Sequence, residues 1–167
     1  MANKRRTPHK RVAISFARAC VGYVSAFVLT FQPVAAHALP AGGVVSAGSA
    51  SISQTATTVT VNQSSTRAVV DWNSFNVGST ESVSFNQPSA SAIALNRIHD
   101  ANPSLINGTI NANGRVWLIN QNGMVFGSSA QVNVGGLLAT TADISNADFM
   151  GGDIVKIHFA CDSCSLC

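Results

Sequence analysis

The amino-acid sequence predicts an all-β protein, and three observations carry the prediction. The polar residues are uncharged: 20 Ser, 14 Asn and 11 Thr among 167 residues. Such residues favour turns and strands over helices. Brief runs alternate apolar with polar side chains, the period of a half-buried strand. Asn-Gly, Asn-Pro, Gln-Pro and Gly-Ser pairs punctuate those runs. The hydrophobic share of 46% excludes a disordered chain. Charged residues are only 10%, which excludes a charge-rich helical bundle or coiled coil. The length gives room for one domain of ordinary size.

The first 38 residues read as a leader. Lys4, Arg5, Arg6, Lys10, Arg11 and Arg18 precede an apolar stretch from Ala19 to Val34. Ala36-His37-Ala38 then fits the A-x-A pattern of a secretory cleavage site, predicting a cut between Ala38 and Leu39. The apolar stretch, interrupted by Gly22 and Gln32, falls short of the roughly 20 residues a membrane span needs. No membrane span is therefore expected after cleavage. The formal charge of +3 belongs to the leader: beyond it four basic residues face seven acidic ones. No basic patch remains to neutralise phosphates, so nucleic acid is not an expected partner.

The rest divides into strands in order. Leu39 to Ser53 is rich in Gly, Ala and Ser and reads as extended or flexible. Strand character follows at 58–61, 68–72, 82–85, 92–95, 105–106, 116–119, 124–126, 131–134 and 137–140. No capped amphipathic helix of ten or more residues is expected. Two architectures stay open on pattern alone. Strand starts at roughly every 8–12 residues fit a sandwich. Very short strands, with Asn and Gly at the turns, fit a parallel β-helix, in which uncharged ladders stack without repulsion. No strict repeat period is evident.

No catalytic constellation is recognisable. Asp71, Glu81, Asp100, Asp143 and Asp148 are scattered, and no G-x-S-x-G elbow, P-loop or G-x-G-x-x-G fingerprint occurs. His99 and Asp100 are adjacent, so on a strand they would point to opposite faces. Cys161, Cys164 and Cys167 crowd the end with only His158 nearby, a weak ligand set for zinc. The expectation is no enzyme, no cofactor and no metal. Residues 39–160 contain no cysteine. That agrees with the export that the leader predicts.

From Asp71 onward the segments resemble a known family. They are Asp71-Trp72-Asn73-Ser74-Phe75-Asn76-Val77-Gly78, Val83 to Ser89, Ala94-Leu95-Asn96-Arg97-Ile98, Ile106 to Gly114, Val116 to Gly127 and Ala130 to Leu137. In this order they are similar to the secretion domain of two-partner-secretion exoproteins. This is the filamentous-haemagglutinin-type N-terminal domain, here in its high-molecular-weight-adhesin branch. The resemblance covers residues 39–149 and leaves 150–167 as a divergent tail; against long exoproteins, a truncated fragment, a frameshifted product and a short paralogue stay open as expectations.

The resemblance implies a right-handed parallel β-helix with N-terminal capping strands. It implies recognition in the periplasm by a cognate outer-membrane β-barrel transporter, then export to the surface of a Gram-negative bacterium. The alternative is an adhesin module that itself binds host-cell glycan or protein. The family's hallmark Asn-Pro-Asn-Gly-Ile turn stands here as Asn120-Gln121-Asn122-Gly123-Met124, the expected transporter-recognition turn. Gln121 lacks proline's fixed φ, while Asn120, Asn122 and Gly123 keep the turn chemistry. A secondary motif is Asn86-Gln87-Pro88-Ser89. Asn102-Pro103-Ser104-Leu105 matches the letters of a second family turn but falls one strand later, so it is expected to be a turn only.

Overall fold

The computed structural model describes residues 38–153. All of the expected leader except Ala38, and the cysteine tail, lie outside the described residues. Twelve strands form: β1 (Val44–Ala47), β2 (Ala50–Gln54), β3 (Thr58–Gln63), β4 (Arg67–Trp72), β5 (Ser82–Asn86) and β6 (Ile93–Ile98). They continue as β7 (Ser104–Ile106), β8 (Thr109–Ala112), β9 (Arg115–Asn120), β10 (Met124–Phe126), β11 (Gln131–Asn133) and β12 (Gly136–Thr140). One short helix follows, α1 (Asn146–Gly151). Among the described residues no helix is long and apolar enough to cross a membrane.

The strands wind into a β-solenoid with three faces. One sheet has the order β1-β4-β6-β9-β12, a second β11-β8-β5-β3-β2, and a third pairs β10 with β7. Strands from successive turns of the coil pair in parallel, whereas β1 on β4 and β2 on β3 are antiparallel. Register puts like above like. Val59 lies beside Val83, Val83 beside Ile110 and Ile110 beside Val132, all facing the interior core. Outside, Asn86 donates to Asn62 at 2.7 Å, 24 residues away, and Asn133 donates to Asn111 at 3.2 Å, 22 residues away. The unequal steps explain why no strict period is visible in the sequence.

The interior holds Trp72, Phe75, Phe85, Ile106, Ile110 and Leu118. Trp72 meets Phe75 edge-on at 5.6 Å, and its Nε1 donates to buried Asn96 at 3.0 Å. Asn96 in turn donates to the carbonyls of Ala94 and Trp117, so the polar group inside the coil is satisfied.

The middle strands of the first sheet, β4, β6 and β9, are buried on both faces. Val69, Leu95, Trp117 and Ile119 point away from the interior and form a second cluster with Ile144 and Phe149. That is why β4, β6 and β9 read as near-continuous apolar runs and not as alternations. The covering segment ends in α1, whose six residues are too few for a periodicity signal. Its start is nevertheless written locally: Ser145 Oγ accepts the Asp148 N–H at 3.1 Å and donates to Asp148 Oδ2 at 2.7 Å. Gly152, at φ 92°, ends it.

Sequence reading also left out β1, β2 and β8. Their segments, Val-Val-Ser-Ala, Ala-Ser-Ile-Ser-Gln and Thr-Ile-Asn-Ala, carry too few large apolar residues, and pairing with neighbours makes them strands.

Not every corner glycine is there for a left-handed backbone. A Cβ on Gly108 would stand 2.1 Å from the Gly78 carbonyl oxygen and 2.3 Å from that of Glu81. Backbone approach, and not φ, excludes a side chain there. Gly108→Ala should therefore destabilise the fold by about 3 kcal/mol in urea titration. Gly136→Ala, whose Cβ would meet only the Arg115 side chain at 3.4 Å, should stay within about 0.5 kcal/mol of wild type.

Candidate functional site

The Asn120–Met124 turn joins β9 to β10, from the first sheet to the third. Its first residue is an internal strut. Asn120 is 0% exposed. Its Nδ2 donates to the Asn102 carbonyl at 3.1 Å and to Ser104 Oγ at 2.9 Å, and its Oδ1 accepts the Asn122 N–H at 2.9 Å. The Gly123 N–H donates to the Asn120 carbonyl at 2.9 Å, closing a four-residue turn. Gly123 sits at φ 91°, where its missing Cβ matters. Side-chain hydrogen bonds at Asn120 thus hold the shape that a proline at position 121 would preset.

The turn stacks on the preceding one. Asn122 Nδ2 donates to the Asp100 carbonyl at 2.7 Å, and Asp100 Oδ1 accepts the Asn102 N–H at 2.9 Å. Gln121 and Asn122 are exposed, Gly123 and Met124 are half-buried, and Met124 packs against the interior core. Of the five expected residues, Gln121 and Asn122 therefore present the open surface.

Beside the turn runs a groove lined by Arg97, His99, Asp100, Gln121, Asn122 and Asp143. Sequence reading named Arg97 only as part of a strand motif, yet it organises this groove. Its Nε donates to Asp143 Oδ1 at 2.9 Å, one terminal nitrogen to Asn146 Oδ1 at 2.9 Å, and the other to the Ile144 carbonyl at 2.6 Å. It also pairs with Asp71 at 3.3 Å, whose carboxylate meets His99 Nε2 at 2.9 Å. One guanidinium thus fastens the covering segment to the sheet. The signal available in the sequence was scarcity: Arg97 is one of four basic residues after the leader.

Burial pushes the Asp71 carboxyl up, but hydrogen bonds from Ser46 and His99 and the charge of Arg97 outweigh it. The net effect holds Asp71 below its ordinary value of 3.8.

The secondary motif lies elsewhere. Asn86 ends β5, and residues 87–89 turn the coil from the second sheet into the first. Asn86 and Pro88 are exposed, Ser89 is half-buried, and Gln87 is buried. Gln87 Nε2 reaches Gln63 Oε1 at 3.2 Å and the carbonyls of Ala92 and Arg115. The two motifs flank opposite ends of the strands of one sheet, a six-residue strand or about 20 Å apart. The structure does not bring them together. Of the cleavage residues, Ala36 lies outside the described residues, Ala38 is half-buried and Leu39 is buried in the core. Among the described residues no group of three or more His, Cys, Asp or Glu could hold a metal ion.

Two outcomes follow from this geometry. Asn120→Ala should cost about 2 kcal/mol, because it strips partners from buried polar groups, whereas Asn122→Ala should cost about 0.5–1 kcal/mol. Equilibrium unfolding separates them. Asp71 contributes stability that is full above its unfolded value of 3.8 and is lost as the pH falls through its lower folded value. Asp71→Asn should therefore flatten the acid limb of the stability curve measured from about pH 5 to about pH 2.

Comparison with known proteins gives a consistent result. The family model described as TPS secretion domain matches residues 36–157. A heme/hemopexin-binding protein of Haemophilus influenzae strain Rd is 38% identical over 125 residues, 72% of this chain and 14% of that protein. Another heme/hemopexin-binding protein of Haemophilus influenzae is 46% identical over 90 residues, 54% of this chain and 10% of its own length. The chain thus spans a small fraction of these curated relatives. The crystal structure of the HMW1 secretion domain from Haemophilus influenzae superposes with a TM-score of 0.64 at 31% identity, covering 68% of this chain and 30% of that one. The family match, the relatives and the shared solenoid agree: this chain belongs to the TPS secretion-domain family.

Proposed function

We propose that the domain is the recognition signal of a two-partner-secretion exoprotein. In this reading a leader of residues 1–38 carries the chain to the periplasm. Residues 39–149 are then bound by the soluble part of a cognate outer-membrane β-barrel transporter and exported to the cell surface. The observation that carries the reading is the TPS secretion-domain match across residues 36–157. The chemistry agrees with it. Near the turn Arg97, Asp71, Asp143 and His99 are engaged with one another, and Asp100 with Asn102 and Asn122. The relatives' heme and hemopexin names describe far longer proteins, and we assign no such ligand to this domain.

The coil is proposed to be right-handed, with β1 and β2 capping its first turn. Their antiparallel pairing with β4 and β3 supports that role, because it departs from the parallel stacking of the later turns. The transporter contact is proposed at Gln121 and Asn122. Both are exposed on a turn whose shape is held from inside by Asn120.

Co-expression with a candidate outer-membrane transporter tests this assignment. Gln121→Arg leaves the buried struts intact and should keep the unfolding midpoint of wild type, whereas Asn122→Arg gives up the bond to the Asp100 carbonyl and should cost about 0.5–1 kcal/mol while remaining folded. Release into the medium should fall by about tenfold, the effect of losing roughly 1.4 kcal/mol of binding. Unchanged release from folded variants would remove the turn from recognition. Transporter-independent binding of the purified protein to host cells would favour the adhesin alternative.

A further inference from the structure

Three turns of the coil carry the same pair of residues: Asn107-Gly108, Asn113-Gly114 and Asn122-Gly123. The pair has a chemistry of its own. The glycine nitrogen can attack the side-chain amide carbon of the asparagine, because no Cβ on the glycine obstructs the five-membered ring. The reaction needs room around that nitrogen and a side chain able to swing onto it. The three pairs are equal in sequence, so the fold alone ranks them.

Two pairs are enclosed. A Cβ on Gly108 would stand 2.1 and 2.3 Å from the backbone oxygens of Gly78 and Glu81. A Cβ on Gly114 would stand 2.6 Å from Gln87 Oε1 and 2.8 Å from the carbonyl oxygens of Ala92 and Ser89. Asn113 is also clamped through both ends of its amide: Oδ1 accepts the Gln87 N–H at 2.7 Å, and Nδ2 donates to the Gln87 carbonyl at 2.7 Å. The third pair is open. Apart from its chain neighbours, nothing lies within 4 Å of a Cβ placed on Gly123, and Asn122 is exposed. The Asn122 amide is tethered to the Asp100 carbonyl at 2.7 Å by a bond that is itself exposed. Ring closure must also free the Gly123 N–H from the Asn120 carbonyl, but the Gly108 N–H is held likewise by the Val77 carbonyl at 3.1 Å. Enclosure, and not that bond, separates the sites.

We propose that Asn122-Gly123 is a self-modification site, at which the folded chain converts a neutral amide into a carboxylate without an enzyme. The Gly123 nitrogen bonds to the Asn122 side-chain carbonyl carbon and gives up its proton. The side-chain carbon–nitrogen bond breaks, and ammonia leaves with that proton. Water then opens the ring at either carbonyl. The products are aspartate, or an isoaspartate whose main chain runs through the former side chain. Water enters, ammonia departs and nothing is oxidised or reduced. The new carboxylate cannot donate, so the bond to the Asp100 carbonyl is lost and oxygen faces oxygen. The groove that already holds Asp100 and Asp143 gains a negative charge. Modification thus ages the turn proposed above for transporter contact, and that consequence alone rests on the recognition reading.

The test holds the whole chain, exported and purified, in mildly alkaline buffer and maps its peptides by mass over time. Asn122 should convert at least about tenfold faster than Asn107 or Asn113, whose reaction waits on local opening. In guanidinium chloride the three rates should converge, since only the fold distinguishes them. Equal rates in the folded chain, or a lead by Asn107 or Asn113, would overturn the proposal. So would an Asn122 that stays intact in the folded chain while the unfolded chain converts. Asn122→Gln should suppress the early mass change, because its ring is one atom larger and closes more slowly. Secretion tests the consequence separately. Asn122→Asp, co-expressed with a candidate transporter, should lower release into the medium by about tenfold. Unchanged release beside confirmed conversion would remove the turn from recognition and leave the modification site standing.

Discussion

Stacking register is the constraint on which the rest depends. Once successive turns pair in parallel, each residue is placed beside its counterpart about 4.8 Å away. Any charge repeated at such a position would face its own kind. Apolar residues stack inward as Val59, Val83, Ile110 and Val132 do. Outward, hydroxyls and amides stack because they donate and accept in turn, as Thr58 with Ser82 at 3.1 Å and Asn62 with Asn86 at 2.7 Å show. The low charge content is thus a consequence of the fold.

The strongest exception to that rule is placed where it does not repeat. Arg97 lies between Asp71 and Ile119 in the register, so its charge meets an opposite one on one side and an apolar residue on the other. All three of its nitrogens also donate to the covering segment, at Asp143, Ile144 and Asn146. A similar economy governs the Asn120–Met124 turn. Asn120 is invisible from outside, yet the exposed amide of Asn122 and the preceding turn take their positions from it.

Much of this was legible in the sequence, and the gaps have physical causes. Strands at 58–61, 68–72, 82–85 and 116–119 declared themselves because their large apolar residues face a core. β1, β2 and β8 did not, since their strand character comes from neighbours in other turns of the coil. The helix was hidden by its length, though Ser145, Asp148 and Gly152 marked its ends. Asn120 and Asn122 carried the same letters and the same turn propensity. Only three-dimensional placement separates the strut from the surface. Arg97 looked like a scattered charge because its partners Asp71, Asp143 and Asn146 lie 26, 46 and 49 residues away in the chain.

The strap across the outer face also bears on timing. Leu95, Trp117 and Ile119 cannot be sealed until Ile144 and Phe149 arrive, and the guanidinium clasp spans 46 to 49 residues. In a polypeptide that emerges from its N-terminus, several turns of the coil must already be wound before the seal can shut. The hydrophobic outer wall of the early turns therefore stays wet during emergence. Its closure is a late, all-at-once step that converts a growing stack into a sealed one.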